Sequence, residues 1–412
     1  MLNRVVITGI GCISPVGHSL AEVWSAAVEG RTGVKQIELF DTTEYDVHFA
    51  AEISNWDPTA FMDGKLAKRC DRFVQFAIAA ADQALADAQL GIAEDNADDI
   101  GVVIGSGIGG MHVWEAQHEI LLNRGPKRVS PFLIPMLISD MASGMVSIHT
   151  GARGPNYAVV SACASSTNAI GDGFEHIRRG TAKMMITGGT EAAITPIGLA
   201  GFCAAKALST RNDDPATACR PFDKTRDGFV MGEGSTIVVL EELSHAVGRG
   251  ARIYGEIVGY GASGDAHNMV APEPSGTCAA SAMRAALKQA EMTPDEIDYV
   301  NAHAPGTPGG DDMEARALGL LYSGDYSPMV NSTKPIHGHQ LGSTGATELA
   351  LSLMMIRDGL VARTLNCNEV DDDIRIDVVR GQNREARVDT IMTNSFGFGG
   401  HNAVLIARRY EG

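Results

Sequence analysis

Paired cysteines are missing from this sequence. The seven present (Cys12, Cys70, Cys163, Cys203, Cys219, Cys278, Cys367) are scattered, odd in number and never in a CxxC pair. That pattern excludes a zinc knuckle or a disulfide framework, and no other metal site is expected; it points to a reducing compartment. Basic residues are also in short supply. Against 50 Asp and Glu stand 33 Lys and Arg, for a net charge of −17. Phosphate binding needs a basic footprint, so nucleic acid is not the expected partner. No apolar run is long enough to span a membrane, and there is no low-complexity tract. The first residues, Leu2-Asn3-Arg4-Val5-Val6-Ile7, enter a strand with no leader-like segment before them. The expectation is a soluble cytoplasmic protein.

What the sequence does hold is length, glycine and repetition. At 412 residues it exceeds the usual single-domain size, and its 47 glycines fit many tight strand–helix connections. Arg4 to Gly9 reads as a buried strand ending in a Gly9-Ile10-Gly11 turn. Helices are expected over 20–30 and, from the spacing of Phe73, Phe76, Ala77, Ala80 and Ala84, over 65–88. Buried strands follow at 100–104, 184–187 and 236–240. Beyond Gly250 the pattern restarts. A strand over 253–258 closes on Gly259 and Gly261, a helix covers 277–290, strands cover 297–301 and 390–392, a helix covers 345–357, and 403–407 is the last strand. Two rhyming halves, 1–250 and 251–412, point to duplicated βαβ units with parallel-rich sheets covered by helices. In such α/β folds, ligands bind at the carboxyl ends of the strands.

Candidate chemistry gathers at those strand ends. The apolar run Tyr157 to Val160 stops at Ser161-Ala162-Cys163-Ala164-Ser165, and a helical pattern then runs to about Arg179. A cysteine at a helix N-terminus meets orphan N–H groups and the positive end of the dipole, which favours its thiolate. The stretch alone fits equally a small buried hydrophobe. Gly105-Ser106-Gly107-Ile108-Gly109-Gly110 matches the GxGxxG of dinucleotide sites. Against that reading, the following segment is broken by Pro131 and Pro135, and no acidic strand end lies about 20 residues on. Three further motifs carry polar groups: Asn301-Ala302-His303, Asn331 to His339, and Asn394 to Gly400. A helix-start cysteine with strand-end histidines in the other half fits nucleophilic acyl transfer.

Ala162-Cys163-Ala164-Ser165-Ser166, Asn301-Ala302-His303, Ser332-Thr333-Lys334, Gly338-His339 and Asn394-Ser395-Phe396-Gly397-Phe398-Gly399-Gly400 together resemble the β-ketoacyl-acyl-carrier-protein synthases. These are the elongating type II ketosynthases of the thiolase superfamily. The match runs from Val5 to Ala407. The resemblance implies an α/β thiolase fold, two similar halves in a five-layered αβαβα core, and usually a homodimer. It implies decarboxylative Claisen condensation of a cysteine-bound acyl group with malonyl-acyl-carrier protein, in fatty-acid or polyketide elongation. On the same basis Cys163 is the nucleophile, His303 and His339 promote decarboxylation, and Lys334, paired with Glu348, orders the site. The N–H groups of Cys163 and Phe398 form the oxyanion hole, and Phe398 is also the gate. Ile108 and Phe202 fall at the acyl pocket, and Thr307 and Val270 at the pantetheine arm. Lys65, Lys68, Arg69 and Lys206 fall where an acidic carrier protein docks. No resident cofactor is implied, because phosphopantetheine arrives on the carrier.

The departures from the family pattern fall on the arm. His-Gly-Thr-Ser-Thr becomes His303-Ala304-Pro305-Gly306-Thr307, and Pro305 offers neither hydroxyl nor N–H. Val270 stands where threonine is frequent. His401 replaces a common threonine, and neither it nor His337 falls on a catalytic position. The alternatives are a non-condensing chain-length-factor-like partner subunit, which would lack the cysteine and would make a heterodimer; a coenzyme A thiolase, which would need a second late cysteine in a Gly-rich turn; and a dinucleotide-binding protein.

Overall fold

The computed structural model describes residues 2–322 and 326–412. Eleven strands form one hydrogen-bonded sheet: β1 (Val5–Ile13), β2 (Ile100–Gly105), β3 (Asn156–Val159), β4 (Met184–Glu191), β5 (Gly234–Glu242), β6 (Gly255–Gly264), β7 (Tyr299–Asn301), β8 (Met329–Asn331), β9 (Asp377–Val378), β10 (Thr390–Gly397) and β11 (His401–Arg408). Their order is β9-β8-β7-β10-β11-β6-β1-β5-β4-β2-β3. The pairing repeats about the β6–β1 junction. In the first half β1–β5 and β5–β4 are antiparallel, and β4–β2 and β2–β3 are parallel. In the second, β6–β11 and β11–β10 are antiparallel, and β10–β7 and β7–β8 are parallel. Val5, Val6 and Ile7 of β1 against Ile257, Glu256 and Gly255 of β6 join the half-sheets.

Eight helices matter here: α1 (Leu20–Glu29), α2 (Arg72–Asp87), α3 (Met111–Arg124), α4 (Met141–Thr150), α5 (Ser165–Arg178), α6 (Thr277–Ala290), α7 (Pro308–Leu321) and α8 (Thr344–Asp358). They complete five layers. α2 and α4 cover the outer face of the first half-sheet with Phe73, Phe76, Ala80 and Val146. α6 and α7 cover the outer face of the second with Ala282, Met283, Met313 and Leu318. α5 and α8 lie between the half-sheets, burying Ile170, Phe174, Leu349 and Leu353 in a common core. α8 is buried from Thr344 to Ile356, as a helix walled in on every side must be.

Two glycine expectations are corrected. Gly9-Ile10-Gly11 is not a turn; it lies inside β1. Gly259 and Gly261 likewise lie inside β6, which runs unbroken to Gly264. A Cβ on Gly9 or Gly11 would overlap the Ala84 or Ala80 carbonyl oxygen of α2, and one on Gly259 or Gly261 would overlap that of Ala286 or Ala282 of α6. Both halves bring a helix onto a strand with no side chain between them, a use of glycine that periodicity does not reveal. The helix expected over 65–88 is also divided. A short helix Gly64–Ala67 ends, and Asp71 caps the start of α2 by accepting from the Phe73 N–H.

The halves share one further device. α5 is preceded by a 3-10 turn, Ala162–Ala164, entered through Ala162 at φ 50°; α8 is preceded by a 3-10 turn, Leu341–Ser343, entered through Leu341 at φ 49°. Left-handed backbone at a non-glycine residue is strained and survives where packing dictates it.

Gly11→Ala should lower stability by about 1–3 kcal/mol through overpacking against Ala80. Gly91→Ala, where a Cβ meets no atom within 4 Å, should stay within about 0.5 kcal/mol. Urea midpoints of the two variants check this, and equal midpoints would contradict the close-approach argument.

Candidate functional site

The carboxyl ends of β2 and β3 from one half, and of β7 and β10 from the other, open onto one cavity of about 360 Å³. Its wall includes Cys163, His303, His339, Ile108, Phe202 and Phe398. What joins the halves here is the meeting of the two inner helices. The Ala346 N–H donates to Ser166 Oγ over 3.1 Å, and the Thr167 and Ser395 hydroxyls are 2.6 Å apart. A Cβ at Gly345 would overlap Thr167 Oγ1, so only glycine fits between them.

Cys163 sits in the 3-10 turn just before α5. Ser165 braces that turn, accepting from the Ser161 N–H at 2.9 Å and donating to the Ala162 carbonyl at 2.7 Å. The sulfur lies 3.0 Å from His339 Nε2, and the backbone N–H groups of Cys163 and Phe398 both point at it. The favoured thiolate expected from the helix N-terminus is corrected. Burial pushes the thiol up to about 12, with the Glu191 charge adding to the rise, while Lys334 and the two N–H groups oppose it. Desolvation of a charge outweighs a partial dipole in so dry a pocket. Cys163 therefore rests as a thiol beside an imidazole.

His339 is held by its own backbone: its N–H donates to Val230 O at 2.7 Å, and its carbonyl accepts from Gly232 N at 2.9 Å. Its Nδ1 is 3.1 Å from Thr344 Oγ1. The His303 ring stands edge-on to it with centroids 5.3 Å apart, and His303 Nδ1 is buried with no hydrogen-bond partner among the described residues. Burial first, then the Lys334 charge, holds both imidazoles well below the usual histidine range, so both are neutral. Lys334 lies outside the cavity wall. It is fully buried and donates to the His303 carbonyl and, over 2.5 Å, to Glu348 Oε1. Burial raises the Glu348 carboxyl to about 7 against the pull of Lys334.

The other expected residues are placed as follows. Thr307 lines the cavity and caps α7, its hydroxyl accepting from the Gly310 N–H. Pro305 and Val270 line the entrance side, Val270 half exposed. Lys65, Lys68 and Arg69 lie exposed on and just after the helix Gly64–Ala67, and Lys206 lies exposed after the helix Pro196–Ala204. None lines the cavity, and among the described residues none forms an ion pair; Arg69 stacks over Phe132. His337 is buried against Thr333 and Gly338, and His401 is exposed at the start of β11.

Two buried carboxylates escaped the sequence reading. Glu314 on α7 accepts from the N–H groups of His303 (2.9 Å) and Ala304 (2.7 Å) and from Asn394 Nδ2 (2.9 Å). An acidic residue among Met313, Ala317 and Leu318 on the apolar face of a helix was the available signal. Glu191, at the end of β4, accepts from Ser106 Oγ and the N–H groups of Gly107, Ile108 and Gly342. The N–H groups that a dinucleotide phosphate would need are thus already taken by a protein carboxylate, which removes the dinucleotide reading of GxGxxG.

Comparison with known proteins shows the family. The β-ketoacyl synthase N-terminal domain profile matches residues 2–246, and the C-terminal domain profile matches residues 254–368. The chain is 50% identical over 410 residues to 3-oxoacyl-[acyl-carrier-protein] synthase 2 of Synechocystis sp. and 49% identical over 410 residues to that of Staphylococcus aureus, covering 99% of each chain in both cases. Among solved structures, a β-ketoacyl synthase from Burkholderia phymatum superposes with a TM-score of 0.93 at 34% identity, over 99% of this chain and 100% of that one. A type II polyketide ketosynthase in complex with its acyl-carrier protein gives 0.91 at 28% identity over 100% of both chains.

Glu348→Ala strands the Lys334 ammonium in a dry interior and should cost about 3–5 kcal/mol. The double change Lys334→Met with Glu348→Leu removes both charges and should recover most of that loss. Denaturant unfolding of the two proteins checks the pair; an E348A loss under about 1 kcal/mol would show that the ammonium is not confined as described.

Proposed function

The chain belongs to the β-ketoacyl synthase family, and from that premise we propose how its residues divide the reaction: Cys163 carries the acyl group, and His303 and His339 manage the charge. The enzyme is an acyltransferase that condenses an acyl thioester with malonyl-acyl-carrier protein to give β-ketoacyl-acyl-carrier protein. The observation that carries the division of labour is the 3.0 Å approach of Cys163 Sγ to His339 Nε2, with two N–H groups aimed at the sulfur. A chain-length-factor-type subunit has no use for such a thiol.

In the first step the thiol proton passes to His339, and Sγ attacks the incoming thioester. The Sγ–acyl bond forms, the carrier C–S bond breaks, and the proton leaves with the carrier thiol. The N–H groups of Cys163 and Phe398 meet the oxyanion. In the second step the bond to the malonyl carboxylate breaks and CO₂ leaves. The electron pair moves onto the thioester oxygen as an enolate, stabilised by N–H donation from the neutral imidazoles of His303 and His339. The enolate carbon then attacks the acyl carbonyl, the Cys163 C–S bond breaks, and the departing thiolate takes up one proton from solvent to restore the thiol. Lys334 and Glu314 keep the His303 loop in place through its carbonyl and its N–H.

Ile108 and Phe202 shape the acyl slot with Phe398 as its gate, and Thr307 and Val270 flank the pantetheine arm, which belongs to the substrate. Lys65, Lys68, Arg69 and Lys206 form the docking patch for an acidic carrier protein; their exposure and lack of ion pairs support this. The repeated half-sheets support a division near residue 250 into a nucleophile half and a histidine half. The reaction is assigned to the cytoplasm, and among the described residues no helix is long and apolar enough to cross a membrane.

A homodimer is the proposed assembly. β3 is an edge strand with one side unpaired, and Tyr157, Val160 and, on the neighbouring α4, Ile148 are exposed beside it. An open apolar edge invites pairing with a second copy about a two-fold axis.

Incubation with acyl-acyl-carrier protein should add one acyl mass to the protein and none to Cys163→Ala; an adduct that persists in C163A would sink the nucleophile assignment. His303→Ala should still acylate but release CO₂ from malonyl-carrier protein about 10²–10³-fold more slowly, and unchanged release would remove His303 from the mechanism. Sedimentation should show a dimer for the native chain and a monomer for Ile148→Asp with Val160→Arg. A native monomer at micromolar concentration would overturn the assembly.

A further inference from the structure

Glu191 has no part in the reaction as described, yet behind the cavity wall it accepts four hydrogen bonds. It is fully buried at the end of β4. Its Oε1 accepts from Ser106 Oγ at 3.0 Å and Ile108 N at 3.2 Å, and its Oε2 accepts from Gly107 N at 2.7 Å and Gly342 N at 3.0 Å. Three of these donors sit in the turn that presents Ile108 to the acyl slot. The fourth belongs to the 3-10 turn Leu341–Ser343, which follows His339 and leads into α8. Ser106 Oγ in turn accepts from the Gly109 N–H, so the turn closes around the carboxylate.

The packing leaves no slack. A Cβ at Gly342 would lie 2.6 Å from Glu191 Oε2 and would overlap Gly107 N. One at Gly107 would stand 3.0 Å from the same oxygen and 3.4 Å from the Ala162 carbonyl, next to the nucleophile. The Ile108 turn and the turn after His339 therefore meet at this one group, with the Ala162 carbonyl of the nucleophile turn packed beside Gly107.

We propose that Glu191 is a positioning residue that ties the Ile108 wall of the acyl slot to the turn after His339, so that which acyl chain is admitted and how the thiol meets its imidazole are set together. This rests on the acyl-transfer reading of Cys163. Among the described residues the Ile108 turn has no other hydrogen bond to β4, and breaking the tie on that side lets the slot open without disturbing the sheet. Gln cannot replace the carboxylate silently: its NH₂ faces donors on whichever side it points, so at least one of the two turns is released. The titratable and charged groups around the Cys163 thiol are His339, His303, Lys334, Asp265 on the cavity wall and Glu191 itself. Removing the negative charge of Glu191 takes away one influence that keeps the thiol protonated.

The test compares the native enzyme, Glu191→Gln and Ser106→Ala, each offered a short and a long saturated acyl-acyl-carrier protein. Acylation of Cys163 is followed by intact mass, and iodoacetamide alkylation of the unacylated proteins is followed against pH. In E191Q the long-to-short rate ratio should rise about tenfold, on the scale of pocket discrimination between homologous chains. Its alkylation midpoint should move to lower pH by about half a unit or more. S106A loses one donor and keeps the charge, so its ratio should rise about threefold with no change of midpoint. Equal slowing of both chains in E191Q, with an unmoved midpoint, would overturn the proposal and leave Glu191 as fold support only. Should E191Q not fold, an unchanged ratio in S106A would overturn it and the threefold rise would sustain it. A native enzyme that takes no acyl group on Cys163 would instead overturn the acyl-transfer reading, and this proposal with it.

Discussion

The site exists because two helix N-termini meet with nothing between them. α5 and α8 start side by side in the middle layer, where Gly345 leaves room for Thr167, the Ala346 N–H donates to Ser166 Oγ, and the Thr167 and Ser395 hydroxyls share a hydrogen bond. Each helix follows a strained 3-10 turn, and the meeting presses those turns together. One turn carries Cys163. The other follows His339 and gives its Gly342 N–H to Glu191. A side chain at Gly345 would push apart the two halves of a single reaction, although residue 345 touches no substrate.

Around that junction the charges are arranged in a shell outside the reacting groups. Lys334, Glu348, Glu314 and Glu191 are all fully buried; Lys334, Glu314 and Glu191 hydrogen-bond the backbone of loops rather than lining the cavity, and Glu348 pairs with Lys334. The reacting groups at the cavity are a thiol and two neutral imidazoles in a largely apolar wall, whose one acidic lining residue, Asp265, accepts from Asn402 Nδ2. This division suits a reaction whose charge appears only in passing. An ion in the slot would need solvation that a lipid chain cannot supply, whereas N–H donors held by a rigid frame stabilise an enolate or oxyanion without reorganising. The high thiol pKa belongs to the same arrangement: dryness costs the thiolate its stability, and the neighbouring His339 supplies a route for the proton.

Much of this was legible in the chain. Composition excluded nucleic-acid and disulfide chemistry. Periodicity placed α5, α6 and α8 to within a few residues, and α2 with about two turns too many at its start. The Cys163, His303, Lys334, His339 and Phe398 motifs were identified in order, because polar groups interrupting apolar strand ends stand out against their surroundings. Missed were features that depend on what lies opposite. Gly9, Gly11, Gly259 and Gly261 look like turn residues until the helix backbone against them is known. Glu191 and Glu314 look like ordinary acidic residues until their N–H partners, between 10 and 151 positions away in sequence, are in place.

By itself, then, the sequence determined the layered α/β class, the two rhyming halves and the residues with the right chemistry, since these follow from local pattern and side-chain type. The tertiary structure alone decided that Cys163 rests as a buried thiol, that GxGxxG wraps a carboxylate rather than a phosphate, and that the slot wall and the histidine turn share one anchor. The physical reason is the same each time. Desolvation and hydrogen-bond satisfaction depend on every neighbour a group meets in space, and a chain read in one dimension shows only those beside it.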